Sequence, residues 1–287
     1  MTSIRIATRG SELARWQAEH IAKAIRTAHP GTDVELVVVS TEGDRRQDVP
    51  LSEIGGKGVF VKEIQRAVLD GRADLAVHSA KDLPAVGPAE LSIVAVPERA
   101  DPRDALVGVA LVALPQGGRV ATGSRRRAAQ LRALRPDLEI RGLRGNIATR
   151  LAKADEHHAV VVAVAALQRL DLDDRIAEVL SVDEMCPQVG QGTLAVEGLP
   201  ESGAAALVSV MDHAPSRRCL EAERAFLAEL GGDCDLPAGA YAEIDDDQIV
   251  LRAVLDSGAG VRRLVLEGGD GVALGVEAAR RLRAEAG

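Results

Sequence analysis

Apolar positions recur along the chain with two alternating periods. "IRIAT" (4–8) reads as a short strand. Beyond it Ala14, Ala18, Ile21, Ala22 and Ile25 share one helical face, and His29-Pro30-Gly31 supplies the stop. "VELVVVS" is a near-continuous apolar run of the kind buried within a parallel sheet. A polar loop, "TEGDRRQDVPLSEIGGKG", leads to a helix over about 59–69, then "DLAVHS" as a strand, "KDLP" as a turn and "LSIVAVP" as a strand. This βαβαβ alternation predicts an α/β layer.

The alternation returns with different residues. "RVATGS" precedes the helical "RRRAAQLRAL", "LEIRGL" precedes "NIATRLAKA", and "AVVVAVAAL" reads as a third, deeply buried strand. "PERADPRDALVG", with two prolines and many charges, reads as a crossover between the two runs, and "TLAVEGL" as a strand returning to the first sheet. From about Pro215 a long helix runs to Gly231-Gly232, followed by strand-like "AYAEI", "QIVLRAVL" and "RRLVLEG" and a terminal helix. The expected architecture is α/β: two doubly wound lobes and a small α+β C-terminal domain. The expected boundaries are 1–97 with 192–213 for the first lobe, 98–191 for the second, and 214–287 for the third domain.

Composition narrows the functional classes. In 287 residues no apolar stretch is long enough for a membrane helix, and the start "MTSIRIATRGSELARWQ" lacks the apolar core of a secretory signal, so a cytoplasmic protein is expected. A net charge of −8 and 1% aromatic residues disfavour nucleic acid as a partner. Three widely spaced cysteines, Cys186, Cys219 and Cys234, indicate neither a disulfide framework nor a metal site. Of 35 basic residues only five are Lys, so clusters of Arg at loop positions carry more meaning than any single one.

In open parallel sheets ligands sit beyond the carboxyl ends of the strands, and two similar lobes usually hold one between them. The polar residues after the predicted strands are therefore the candidates. They are Arg9 and Ser11; Lys57 in "GGKG"; Ser79, Lys81 and Asp82; Thr122, Ser124 and the arginines 125–127; and Arg144, Arg150 and Arg169. Hydroxyls, helix N-termini and guanidinium forks all favour anions, so a ligand with several negative groups is expected. Each residue has a plainer reading. Ser11 and Ser124 also suit helix N-caps, single arginines suit solvated helix faces, and "GGKG" matches neither a phosphate-cradling nor a dinucleotide fingerprint. Their common placement at strand ends favours the site.

Asp82 reads either as a turn residue in "KDLP" or as a carboxylate that steadies a cation. His78 ends an apolar strand without a partner at metal-ligand spacing and reads as structural. Cys186 and Cys219 suit buried small hydrophobes. Cys234, in "LGGDCDLPAG", does not. Its flanking aspartates disfavour a thiolate and no base accompanies it, which argues against a protease-type nucleophile. Attachment of a strong electrophile stays open.

The segments "ATRGSELARWQ", "GGKGVFVKEI", "DLAVHSAKDLP", "ATGSRRRAAQL", "LRGNIATRL", "VGQGTLAVE" and "LGGDCDLPAG" occur in this order. Together they resemble the porphobilinogen deaminase (hydroxymethylbilane synthase) family over nearly the whole chain. The resemblance implies lobes similar to periplasmic binding proteins and a transferase that joins four porphobilinogen units into hydroxymethylbilane. It implies a dipyrromethane cofactor held by a thioether to Cys234, and a monomer. By the same resemblance Asp82 is the catalytic carboxylate. Arg9, Arg126, Arg127, Arg144, Arg150 and Arg169 hold cofactor and substrate, and Ser11, Lys57, Ser79, Lys81, Thr122, Ser124 and Gln191 give supporting contacts. Phe60 is a candidate wall over the pyrroles, with core packing as its rival role. Ala80 stands where many members carry Met, Arg125 where many carry Leu, and Asp233 and Asp235 flank a cysteine more often set among Gly and Gln. A non-enzymatic two-lobe binder of an anionic metabolite is the alternative, and it leaves Cys234 and Asp82 without a role.

Overall fold

The computed structural model describes residues 3–41, 61–232 and 236–284. The chain divides into two compact units, residues 1–99 with 193–217, and residues 100–192 with 218–287.

In the first unit β1 (Ser3–Arg9) pairs in parallel with β2 (Asp33–Val39) and β3 (Leu75–Ser79), while β10 (Leu194–Gly198) runs antiparallel between β3 and β4 (Ser92–Ala95). The sheet order is β2-β1-β3-β10-β4. Helix α1 (Glu12–Ala28) covers one face through Ala18, Ile21, Ala22 and Ile25, against Ile4, Ile6, Leu75, Val77 and Val196. Helix α2 (Lys62–Leu69) covers the other through Ile64, Ala67 and Val68, against Ala7 and Ala76. The alternation of Ile6 and Ala7, or Val77 and Ala76, between the two cores is the two-residue period of a strand.

The second unit repeats the plan. β6 (Arg119–Ala121) is parallel to β7 (Glu139–Arg141) and β8 (Ala159–Ala163), and β5 (Asp104–Gly108) runs antiparallel between β8 and β9 (Ile176–Leu180). Its order is β7-β6-β8-β5-β9. Helices α3 (Arg125–Leu134), α4 (Ile147–Ala152) and α5 (Val164–Gln168) follow β6, β7 and β8. The same unit contains a short helix-flanked meander, β11 (Ala238–Asp245), β12 (Gln248–Asp256) and β13 (Val261–Gly268), all antiparallel. Helix α6 (Gly203–Val208) lies in the first unit, while α7 (Ala214–Glu229) spans the chain boundary at 217/218 and α8 (Gly271–Ala284) lies in the second. β11 approaches the 186–187 segment so closely that a Cβ on Gly239 would stand 2.5 Å from Pro187 O and 2.9 Å from Arg126 Cδ. Only glycine permits that approach.

The α/β class and the small C-terminal sheet stand as expected, with sheets of mixed rather than purely parallel strands. Three local expectations change. "VELVVVS" is not buried on both faces: β2 is an edge strand of its sheet among the described residues, and Val38 is 52% exposed. "AVVVAVAAL" is not one strand, because the ladder ends at the pair Ala163–Asp104 and the following residues, rich in Ala, turn into α5. The crossover "PERADPRDALVG" contains β5, which fills the second sheet, and β9 forms from "IAEVL", which carried no strand expectation.

Candidate active site

In the first unit the candidates collect at the carboxyl ends of two adjacent parallel strands. Arg9 closes β1 and Ser79 closes β3, and Ala7 of β1 is level with Ala76 of β3. Ser11 is the N-cap of α1, its Oγ accepting from Ala14 N at 3.3 Å. Lys81 and Asp82 sit in a single 3-10 turn, Ala80–Asp82, both half-buried. Backbone bonds pin that turn at two points: Ala80 N donates to Thr193 O at 2.9 Å and Leu83 N to Ala80 O at 3.2 Å. Gln17, buried on α1, donates from Nε2 to Ser79 Oγ at 2.8 Å. Ser79, Lys81 and Asp82 are thus set on a short, fixed segment rather than on a loose loop.

Beneath that segment His78 is buried, its Nε2 3.1 Å from Glu197 Oε2. Gln65 Nε2 donates to both Glu197 oxygens, at 2.9 and 3.1 Å. His78 is structural, as its place in an apolar strand indicated. Cys186 and Cys219 are buried, and burial pushes the Cys186 thiol up to about 12, so it is inert.

The second unit concentrates cations. Thr122 follows β6 and accepts from Ser124 N at 3.2 Å, and Ser124 caps α3 by accepting from Arg127 N at 3.4 Å. Arg126 and Arg127, in the first turn of α3, are turned inward and are 2% and 5% exposed. Both meet Asp104, Arg126 Nη2 donating to Oδ2 at 2.8 Å and Arg127 Nη2 to Oδ1 at 2.7 Å. Burial by itself raises the Asp104 carboxyl, but the two guanidinium charges outweigh it and hold the group well below the usual range. Gln191 Nε2 joins them, donating to Asp104 Oδ1 at 2.8 Å and to Pro102 O at 2.7 Å. Gln191 is followed by Gly192 at φ +85°, a conformation glycine tolerates, and Gly192 O accepts from Arg169 Nη2 at 2.7 Å. Burial pushes Arg169 down to about 10. Arg150 Nε donates to Gly145 O at 2.9 Å, and Arg144 and Arg150 are half-buried.

One carboxylate facing two guanidiniums leaves surplus positive charge, and the buried Arg126 Nε has no hydrogen-bond partner among the described residues. Arg169 adds a further buried cation. Such a set of cations suits a ligand rich in carboxylates. Lys57, Phe60 and Cys234 lie outside the described residues. Sequence reasoning missed Gln17 and Asp104. Gln17 lies three residues after Ala14 and one before Ala18 on the buried face of α1, and a polar residue there was a signal. Asp104 carried none, because its partners lie 22 and more residues away.

Residues 4–205 match the family model for porphobilinogen deaminase, dipyromethane cofactor binding domain, and residues 217–284 match that for porphobilinogen deaminase, C-terminal domain. A porphobilinogen deaminase of Roseiflexus sp. (strain RS-1) is 48% identical over 256 residues, covering 87% of this chain and 84% of the relative. Among solved structures the chain is similar to a TRAP periplasmic solute binding protein from Desulfovibrio salexigens (TM-score 0.45, 10% identical, 74% of this chain and 72% of that one). It is also similar to the BenM effector binding domain with benzoate (TM-score 0.41, 14% identical, 72% and 88%). Among the described residues no helix is long and apolar enough to cross a membrane.

Proposed function

The chain belongs to the porphobilinogen deaminase family, and from that premise we propose how its residues divide the work. The activity is the stepwise deaminative condensation of four porphobilinogen molecules on a dipyrromethane primer, with hydrolytic release of linear hydroxymethylbilane. The primer, when bound, would supply the nucleophilic pyrrole α-carbon for the first addition, and the ring last added would supply it for each later one.

Cys234 is the attachment point. A thioether carbon–sulfur bond needs no strongly activated thiol when the partner is a good electrophile, which suits a cysteine between Asp233 and Asp235. Arg126, Arg127, Arg144, Arg150 and Arg169 meet the carboxylates of primer and substrate, aided by Thr122, Ser124 and Gln191. The observation that carries this is the surplus of buried guanidinium over carboxylate around Asp104. Arg9, Ser11, Lys57, Ser79 and Lys81 hold substrate carboxylates from the first unit, and Phe60 is a wall over the rings.

Asp82 is the catalytic carboxylate. Loss of ammonia from porphobilinogen leaves a cation, and Asp82 stabilises it through the pyrrole N–H groups and assists proton transfer at the departing amine. Its fixed turn keeps the carboxylate from having to reorganise during the step. The rest of the reading is a cytoplasmic monomer that engages a small molecule and not nucleic acid, in line with a net charge of −8. The reading has three domains, 1–97 with 192–213, 98–191 and 214–287; the division into compact units at 99/100 and 192/193 supports the first two, and the change of family match between 205 and 217 supports the third. Substituting Asp82→Asn tests the central role. The variant is expected to bind porphobilinogen yet stall with primer or intermediates attached, whereas turnover within a few-fold of the parent would refute it.

A further inference from the structure

The geometry points to Asp104 as a positioning residue: it fixes Arg126 and Arg127 side by side and leaves the pair one surplus positive charge to meet one ligand carboxylate. The inference rests on the reading that these arginines face a carboxylate-rich primer.

Asp104 opens β5 and is fully buried. Its Oδ1 accepts from Arg127 Nε at 3.0 Å, Arg127 Nη2 at 2.7 Å and Gln191 Nε2 at 2.8 Å, and its Oδ2 accepts from Arg126 Nη2 at 2.8 Å. Each partner has a second anchor: Arg126 Nη1 on Cys186 O at 2.5 Å, Arg127 Nη1 on Val161 O at 3.0 Å, and Gln191 on Pro102 O. A planar guanidinium held at both arms cannot turn, so Asp104 decides which N–H groups remain.

The charge balance points the same way. Both arginines lie in the first turn of α3, where the positive end of the helix dipole disfavours cations. Burial pushes Arg126 down, and the Asp104 charge opposes that push. Asp104 offsets one cation of two. The remaining charge, next to a buried Arg126 Nε that has no hydrogen-bond partner among the described residues, is what a ligand carboxylate would complete. Were Asp104 only a weld between β5, α3 and the 186–191 segment, its loss would lower stability and nothing else.

The test compares Asp104→Asn with Asp212→Asn, which breaks the Asp212–Arg217 ion pair of the other unit. For each purified chain the fraction carrying a dipyrromethane mass excess is measured, together with Tm and with KM and kcat for porphobilinogen. Asp104→Asn is expected to load incompletely, with KM about tenfold higher and kcat of the loaded fraction within about threefold. Asp212→Asn is expected to lose Tm alone. An Asp104→Asn chain that loads fully with unchanged KM, whatever its Tm, overturns the inference. Should that variant fail to fold, Asp104→Glu keeps the charge but displaces the carboxylate, and the same full loading and unchanged KM overturn it. A parental chain without dipyrromethane would instead refute the reading of the primer, so the two failures are distinct.

Discussion

Gln17 Nε2 donates to Ser79 Oγ at 2.8 Å, joining the buried face of α1 to the carboxyl end of β3. A serine hydroxyl that accepts one hydrogen bond still has its own proton to give, so Ser79 is primed as a donor toward an anion. Gln17→Leu removes that bias. A loss of about 1 kcal/mol in stability is expected, with KM for porphobilinogen raised several-fold and kcat nearly kept. Steady-state kinetics with an unchanged KM would show that Gln17 only packs.

Arg169 is held at a desolvation cost. Burial pushes it down to about 10 while its Nη2 donates to Gly192 O at 2.7 Å. Arg169→Leu is therefore expected to cost no more than about 1 kcal/mol of stability while raising KM roughly tenfold. Denaturant melts and kinetics on the same preparation check both halves. A large stability loss with unaltered KM would make Arg169 a structural residue.

Acid should unfold the chain through its paired aspartates. Burial raises Asp74, Asp104 and Asp212, but Arg5, the Arg126/Arg127 pair and Arg217 respectively outweigh it, and all three end below the ordinary 3.8. With folded values depressed, the unfolded chain binds more protons. Their contribution is full above pH 3.8 and is lost as pH falls through the lower folded values. Thermal melts from pH 7 to pH 3 should show a nearly flat upper range for these groups and a fall below about pH 4. Asp212→Asn should flatten part of that fall. Stability that rises on acidification below pH 4 would contradict the assignment.

Periodicity made the sheet framework legible. The 3.6-residue stripe Ala18, Ile21, Ala22, Ile25 and the apolar runs of β1, β3 and β8 lie where the pattern put them. Position within a sheet is a tertiary matter, and the pattern of β2 alone could not tell an edge from a centre. β5 hid behind prolines and charges because its polar first residue, Asp104, is buried by distant arginines rather than by local pattern. The same holds for the site. Strand ends and helix caps located Ser11, Ser79, Thr122 and Ser124, since caps are local. Whether Arg126 and Arg127 point outward or inward depends on Asp104 and Cys186 O, contacts that only the fold supplies.

The most direct measurement is the intact mass of the purified chain beside that of Cys234→Ala. The parent should carry a covalent excess equal to two pyrrole units and the variant none, with condensation lost as the excess is lost. An unmodified parent chain that still makes hydroxymethylbilane would contradict a sulfur-tethered primer.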